Sequence, residues 1–221
     1  MSERPDSQEW LRRGPPLAGN AFTIVEEFER RVADFTGAPH AVAVDCCTSA
    51  LFLCCVRLDV RTTPVRVPCR TYVSVPMAVL HAGGWVEFED REWSGIYDLS
   101  PYPIWDAAKR FRRHLFAEIW TSGPRYVCLS FHVKKHLPIG RGGMILTDDV
   151  EAASWFRRAR YDGRRGVPYR HEVITQLGWH MYMTPEQAAR GLYLLDVLPD
   201  DYPPDLTEDY PDLRLQPVFQ R

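Results

Sequence analysis

Lys134 and Lys135 stand side by side in the stretch SFHVKKHLPIGRGGMILTDD, residues Ser130 to Asp149. Arginine supplies positive charge almost everywhere else: of 27 basic residues, only Lys109, Lys134 and Lys135 are lysine. A guanidinium serves wherever a cation is enough. Only an amine, once neutral, attacks a carbonyl and forms a Schiff base with it. Lysines kept in an arginine-biased chain therefore point to amine chemistry, against the plainer alternative of two solvated ammonium groups on a surface loop.

Three further places carry candidate chemistry. Asp45-Cys46-Cys47-Thr48-Ser49 lies between an apolar strand-like run and an apolar helix-like run. Backbone N–H groups and hydroxyls at such a helix start make an anion cradle, and N-capping by Thr48 or Ser49 explains the same residues equally well. Asp106 directly follows YPIW, where a carboxylate is either a helix cap or the partner of a cationic ring nitrogen. Tyr72 opens a helix after VRVPC and taken alone reads as a core aromatic.

The elements that must position these residues follow from apolar spacing. Phe22, Val25, Phe28, Val32 and Phe35 recur at helical intervals up to Gly37. HAVAV (His40 to Val44) reads as a buried strand and Thr48 to Leu58 as an apolar helix. VRVPC (Val65 to Cys69) is a second strand, followed by a helix from Thr71 to about His81. WVEFE (Trp85 to Glu89), YPIW (Tyr102 to Trp105), YVCLSF (Tyr126 to Phe131) and GMILT (Gly143 to Thr147) are further strands. Asp149 to Arg160 has one apolar side, and Thr184-Pro185-Glu186-Gln187 is a capping-box start for a helix to about Leu195. Short apolar strands alternating with helices predict an α/β fold with a largely parallel sheet. In such sheets, chemistry collects in loops beyond the carboxyl ends of the strands.

Composition sets the bounds. With 221 residues and 45% hydrophobic content the chain can bury a core of its own. A net charge of −2 predicts no general affinity for polyanions, although basic clusters occur at Lys109 to His114, Arg157 to Arg160 and Arg164 to His171. The six cysteines, at 46, 47, 54, 55, 69 and 128, fall mostly in apolar runs without metal-ligand spacing. They read as small buried side chains of a reducing compartment. No signal-peptide layout and no apolar run of ~20 residues is present, so a soluble, cytoplasmic protein without membrane contact is expected. Residues 1–20 are expected to form an extended arm, 21–197 the α/β domain, and 198–221 an acidic, proline-containing tail.

Taken in chain order, five blocks resemble the sugar aminotransferase family called DegT/DnrJ/EryC1/StrS. EFERRVADFTGAPHAVAVDCCTSALFL (Glu27 to Leu53) resembles its helix, strand and "NSGTAAL" turn, and VPCRTYVSVPMAVLHAGGWVEFED (Val67 to Asp90) its "VPSFTFVATANAVLYAGATPVFVD". WDAAKR resembles "EDAAQ", SFHVKKHLPIGRGGMILTDD resembles "SFHPTKNLTTGEGGAVVTDD", and LGWHMYMTPEQAARGL (Leu177 to Leu192) resembles "LGYNYRMTEIQAALGL". The resemblance implies pyridoxal-phosphate fold type I: a three-layer, mostly parallel sheet flanked by helices, like the large domain of aspartate aminotransferase, with a truncated small domain. It implies pyridoxal 5'-phosphate as cofactor and a homodimer with shared active sites.

Carried over position by position, Lys135 matches the Schiff-base lysine, with Lys134 one place before it. Asp106 matches the aspartate that keeps the pyridinium protonated, and Tyr72 the aromatic stacked on the ring. Thr48, Ser130 and the turn of Cys47 and Ser49 match phosphate contacts. Lys109 stands where glutamine or histidine is usual, near the phenolic oxygen. His180 replaces the asparagine of "GYN" and Tyr182 the arginine of "NYR", positions that reach the neighbouring subunit's cofactor. Cys47 replaces the glycine of "SGT". The segment between Asp98 and Pro103 lacks a helix and a strand that normally precede "EDAAQ".

The expected activity is transfer of an amino group from an amino acid to a keto sugar nucleotide. Two alternatives stand beside it. A trimmed pocket ringed by Arg110, Arg112, Arg113, Arg164 and Arg165 would suit a decarboxylase or lyase acting on an amino-acid-modified nucleobase in DNA, as in phage-type thymidine hypermodification. A non-catalytic relative working as a binding protein is the other.

Overall fold

A computed structural model of the chain describes residues 20–199 and 209–220, together with Gln8 and Arg12. Most of the expected N-terminal arm and the first part of the expected tail lie outside the described residues. Gln8 and Arg12 are helical rather than extended.

The first helix, α1 (Thr23–Thr36), ends at Gly37, whose φ of 74° is open to glycine at little cost and lets its N–H cap Ala33 O. Strand β1 (His40–Val44) and helix α2 (Cys47–Arg57) follow. Next come β2 (Val65–Pro68), α3 (Ser74–His81) and β3 (Val86–Glu89). The remaining elements are β4 (Tyr97–Asp98), β5 (Ile104–Asp106), β6 (Tyr126–Ser130), β7 (Gly143–Thr147), α4 (Val150–Ala159) and α5 (Pro185–Asp196).

The α/β class and the helical layers are as expected; the strand directions are not. The main sheet has the order β1-β7-β6-β5-β4 and is mixed. Only β5 and β6 pair in parallel, while β1–β7, β6–β7 and β4–β5 are antiparallel. Connections explain this correction. Parallel neighbours need a crossover, which residues 107–125 provide between β5 and β6. A tight turn joins β4 to β5, where Leu99 N–H donates to Ile104 O at 2.8 Å, and a loop without an α-helix joins β6 to β7. Strands β2 and β3 form a separate parallel pair, bridged by α3. Arg66 N–H donates to Ser100 O at 2.7 Å, linking this pair to the turn before β5.

The period of two in β1 assigns one core to each face of the main sheet. Ala41 and Ala43 face a cluster with α1 and α5, containing Phe28, Phe131 and Leu192. Val42 and Val44 face a second cluster with α2, α3 and α4, containing Leu51, Val79 and Phe156. Burial on both faces makes the three layers and explains the near-continuous apolar strands.

One buried carboxylate ties helices to the sheet edge. Glu29 is 4% exposed, accepts from Ala43 N–H at 2.9 Å, and is paired with Arg160 and, at 3.4 Å, with Arg157. The capping box at α5 forms as read from sequence: Gln187 N–H donates to Thr184 Oγ1 and Thr184 N–H to Gln187 Oε1 at 2.8 Å. Thr184→Ala is expected to cost about 1 kcal/mol of folding stability, read from the urea midpoint. Among the described residues no helix is long and apolar enough to cross a membrane.

Candidate active site

Strands β1, β5 and β6 run in the same direction, because β7 is antiparallel to both β1 and β6. All three release the chain at one edge of the sheet, and β2 ends nearby. That shared edge brings the separated sequence motifs into one cavity. Cys46, Cys47 and Thr48 follow β1; Thr71, Tyr72 and Ser74 follow β2; Asp106, Ala108 and Lys109 end or follow β5; Ser130, Lys134 and Lys135 end or follow β6. Strand β7 starts at the same edge, and Gly143 lets it approach the turn after β1. A Cβ on Gly143 would lie 2.4 Å from Cys46 C and 2.6 Å from Cys47 N.

The start of α2 is an anion cradle. Cys46 caps it with sulfur, accepting from Ser49 N–H at 3.4 Å. The first amides of the helix have no partner within the helix, and the helix dipole adds positive potential there. Thr48 Oγ1 and Ser74 Oγ lie 2.8 Å apart at this end of the cavity. Burial, with Asp106 nearby, pushes the Cys47 thiol well up, so it is a neutral lining group at neutral pH.

Asp106 is the last residue of β5 rather than the residue after the strand, and it is 6% exposed. Tyr97 faces it across the β4–β5 ladder. The Tyr97 hydroxyl donates to Asp106 Oδ2 at 2.8 Å, and Ala108 N–H donates to Oδ1 at 2.9 Å. Tyr97 has one proton to give, so at the 2.6 Å contact with Thr71 Oγ1 it accepts. Burial pushes the Asp106 carboxyl up, opposed by these two hydrogen bonds and by the charges of Lys135 and Lys109. Such a carboxylate, buried and fixed in the cavity lining by two hydrogen bonds, is an oriented acceptor.

The lysine pair resolves into two environments. Lys134 is exposed and Lys135 half-buried, and both line the cavity. Their loop is held by Lys135 N–H to His132 O at 2.9 Å and Phe131 N–H to Gly142 O at 2.9 Å. Gly140, with φ 109°, makes the return turn. Tyr72 lines the cavity and remains 58% exposed, so it is not a core aromatic.

Cys47, Thr48, Tyr72, Asp106, Lys109, Ser130 and Lys135 therefore converge. Two predicted site residues do not. Ser49 is buried against the Cys46 sulfur, 3.2 Å away, because the cap turns its hydroxyl inward. His180 is exposed and bonded to Asp162 at 3.0 Å, outside the cavity. The expected ring of arginines is also absent from the lining. Arg112 pairs with Glu118, Arg113 lies over Phe35, and Arg164 pairs with Glu172 at 2.9 Å beside a different cavity. Glu118, which also lies 4.0 Å from Arg110, and Glu172 each draw a neighbouring arginine away from the site.

Sequence reading missed Thr71, Ser74, Trp93, Tyr97 and Tyr210. Trp93 and Tyr97 lie in REWSGIYD, which carries no motif, and Tyr210 lies in the region read as a tail. No local pattern marks them.

Residues 7–97 and 104–201 match the sequence model of the DegT/DnrJ/EryC1/StrS aminotransferase family. The break falls on the tight turn between β4 and β5. The spore coat polysaccharide biosynthesis protein SpsC of Bacillus subtilis is 25% identical, over 86% of this chain and 59% of its own length. GDP-perosamine synthase of Caulobacter vibrioides is 26% identical, over 78% of this chain and 56% of its own. Among solved structures, S. venezuelae DesV in complex with a ketimine intermediate superposes with a TM-score of 0.67 at 24% identity, covering 87% of this chain and 61% of DesV. The chain thus spans about three fifths of the length of these relatives. The fold, the ordered motifs and the profile match agree: the chain belongs to the DegT/DnrJ/EryC1/StrS aminotransferase family, whose cofactor is pyridoxal 5'-phosphate.

Proposed function

We propose that the chain is a pyridoxal-phosphate-dependent aminotransferase that moves an amino group from an amino acid to a keto sugar carried on a nucleotide. The observation that carries this reading is the convergence of an amine, a buried carboxylate and a helix start in one cavity. The donor set fits the cofactor: an anion cradle for its phosphate, an acceptor for its ring nitrogen, and a primary amine lining the same cavity. The polysaccharide and perosamine names of the relatives support a sugar substrate.

When bound, the cofactor supplies an electron sink for the pair released at the substrate carbon next to nitrogen. Thr48, Ser130 and the first amides of α2 bind the phosphate, with Cys47 adding no opposing charge. Asp106 holds the proton of the ring nitrogen, its carboxylate oriented by Tyr97 and Ala108 N–H. Tyr72 covers a ring face. Lys135 would hold the cofactor through its aldehyde, and its amine, when free, would serve as the base for the proton on that substrate carbon. Its half-buried position, against the exposed Lys134, supports this assignment. The same reading makes the chain a homodimer, in which His180 and Tyr182 lie outside their own cavity and approach the partner's cofactor.

The test is a half-reaction. Mixed with cofactor and glutamate or another single amino acid, the chain is expected to convert the aldehyde form to the aminated form, followed by absorbance. Release of carbon dioxide from the amino acid without amination would overturn the assignment as an aminotransferase.

A further inference from the structure

Residues 209–220 return to the molecule at the carboxyl ends of β2 and β3. Leu213 is buried, and its N–H donates to Cys69 O at 2.9 Å. Phe219 meets Phe88 edge-on at 5.4 Å, and Arg214 reaches Asp90 at 3.1 Å. This anchoring places Tyr210 in the cavity wall, stacked on Trp93 at 6.2 Å with an interplanar angle of 18°. The Lys109 ammonium lies 4.4 Å from the Tyr210 ring centroid and 5.5 Å from that of Trp93, and Lys109 is 2% exposed. A cation held against aromatic faces gains most where water is excluded.

We propose that Tyr210 is a positioning residue of the active site: together with Trp93 it fixes the Lys109 ammonium on the cavity wall that also carries Asp106. Lys109 follows β5 three residues after Asp106, so the loop and the two rings hold its ammonium at the cavity wall. That charge favours the ionised form of Asp106, in opposition to burial, and an ionised Asp106 is what a protonated ring nitrogen requires. Tyr210 acts through Lys109 and needs an aromatic face, not a hydroxyl. The proposal rests on the cofactor reading above, and it gives the C-terminal segment a role within the chain's own site.

The chain has three lysines, so protein labelled with 13C at the lysine ε-carbon gives three NMR signals, assigned by substitution of each lysine. The Lys109 signal is expected to be displaced upfield by ring currents in the wild type and in Tyr210→Phe, and to move toward the Lys134 signal in Tyr210→Leu. Pyridoxal phosphate affinity is expected to fall about tenfold in Tyr210→Leu and to stay within about twofold in Tyr210→Phe. A wild-type Lys109 signal coincident with that of exposed Lys134 overturns the proposal without recourse to any variant. So does a Tyr210→Leu chain that binds the cofactor as tightly as wild type, or a Tyr210→Phe chain as weak as Tyr210→Leu. A wild-type chain that takes no cofactor overturns the underlying reading, and this proposal with it, and is distinguishable because every variant then matches wild type.

Discussion

Lys135→Ala is expected to erase the near-visible absorbance that the wild-type chain gains on adding pyridoxal phosphate, and to lower turnover by at least about 10³-fold. Under the proposed function two roles would fall to this one nitrogen, attachment of the cofactor and proton transfer at the substrate carbon, and no neighbouring group would compensate. Lys135→Arg is expected to fail equally, since it keeps the charge and loses the nucleophile. Lys134→Ala is expected to keep the absorbance, because that side chain is exposed. Loss of absorbance in Lys134→Ala and its survival in Lys135→Ala would move the role one residue upstream.

Asp106→Asn is expected to lower turnover about 10²–10³-fold, the scale of removing one preorganised electrostatic contact from an active site. Asparagine keeps the acceptor for Ala108 N–H but cannot hold a protonated ring nitrogen by charge. Stability without cofactor should change in the opposite direction. Burial raises the Asp106 carboxyl in the folded chain, so between the ordinary carboxylate range and that raised value the folded state binds more protons than the unfolded state. Its contribution to stability is present at low pH and is lost as pH rises through the folded value. The cofactor-free Asn variant should therefore melt above wild type at neutral pH, with the gap closing as pH falls below the carboxylate range. A gap that widens on acidification would show that Asp106 is held ionised by its partners instead. Tyr97→Phe, which removes one of those partners, offers a control on the same curve.

Much of the frame was legible because it is local. HAVAV and GMILT form strands over the residues expected. Gly37 ends α1 and Thr184 opens α5 by the backbone chemistry that their residue types favour. Boundaries shifted where an aromatic or a cysteine read as the start or end of an element: Trp85 and Cys69 fall just outside β3 and β2. The candidate site residues Lys135, Asp106, Thr48, Ser130 and Tyr72 were legible because their blocks keep family order and each ends a readable strand or lies in the turn that follows one. Ser49 was misplaced because residue type does not show which way a side chain turns, whereas His180 lies outside its own cavity, as a residue expected to reach a neighbouring subunit would.

By itself, then, the sequence determined the layered class, the strands that end at the site, and the amine, carboxylate and helix start placed there, since each depends on residues within a few positions of one another. Tertiary structure alone decided the strand directions, because connection geometry rather than apolar pattern chooses parallel or antiparallel pairing. It alone paired Tyr97 with Asp106 through the β4–β5 register, turned the arginine runs away from the cavity, and brought Tyr210 back over Lys109. Contacts between residues so far apart along the chain arise from packing, and no local spacing encodes them.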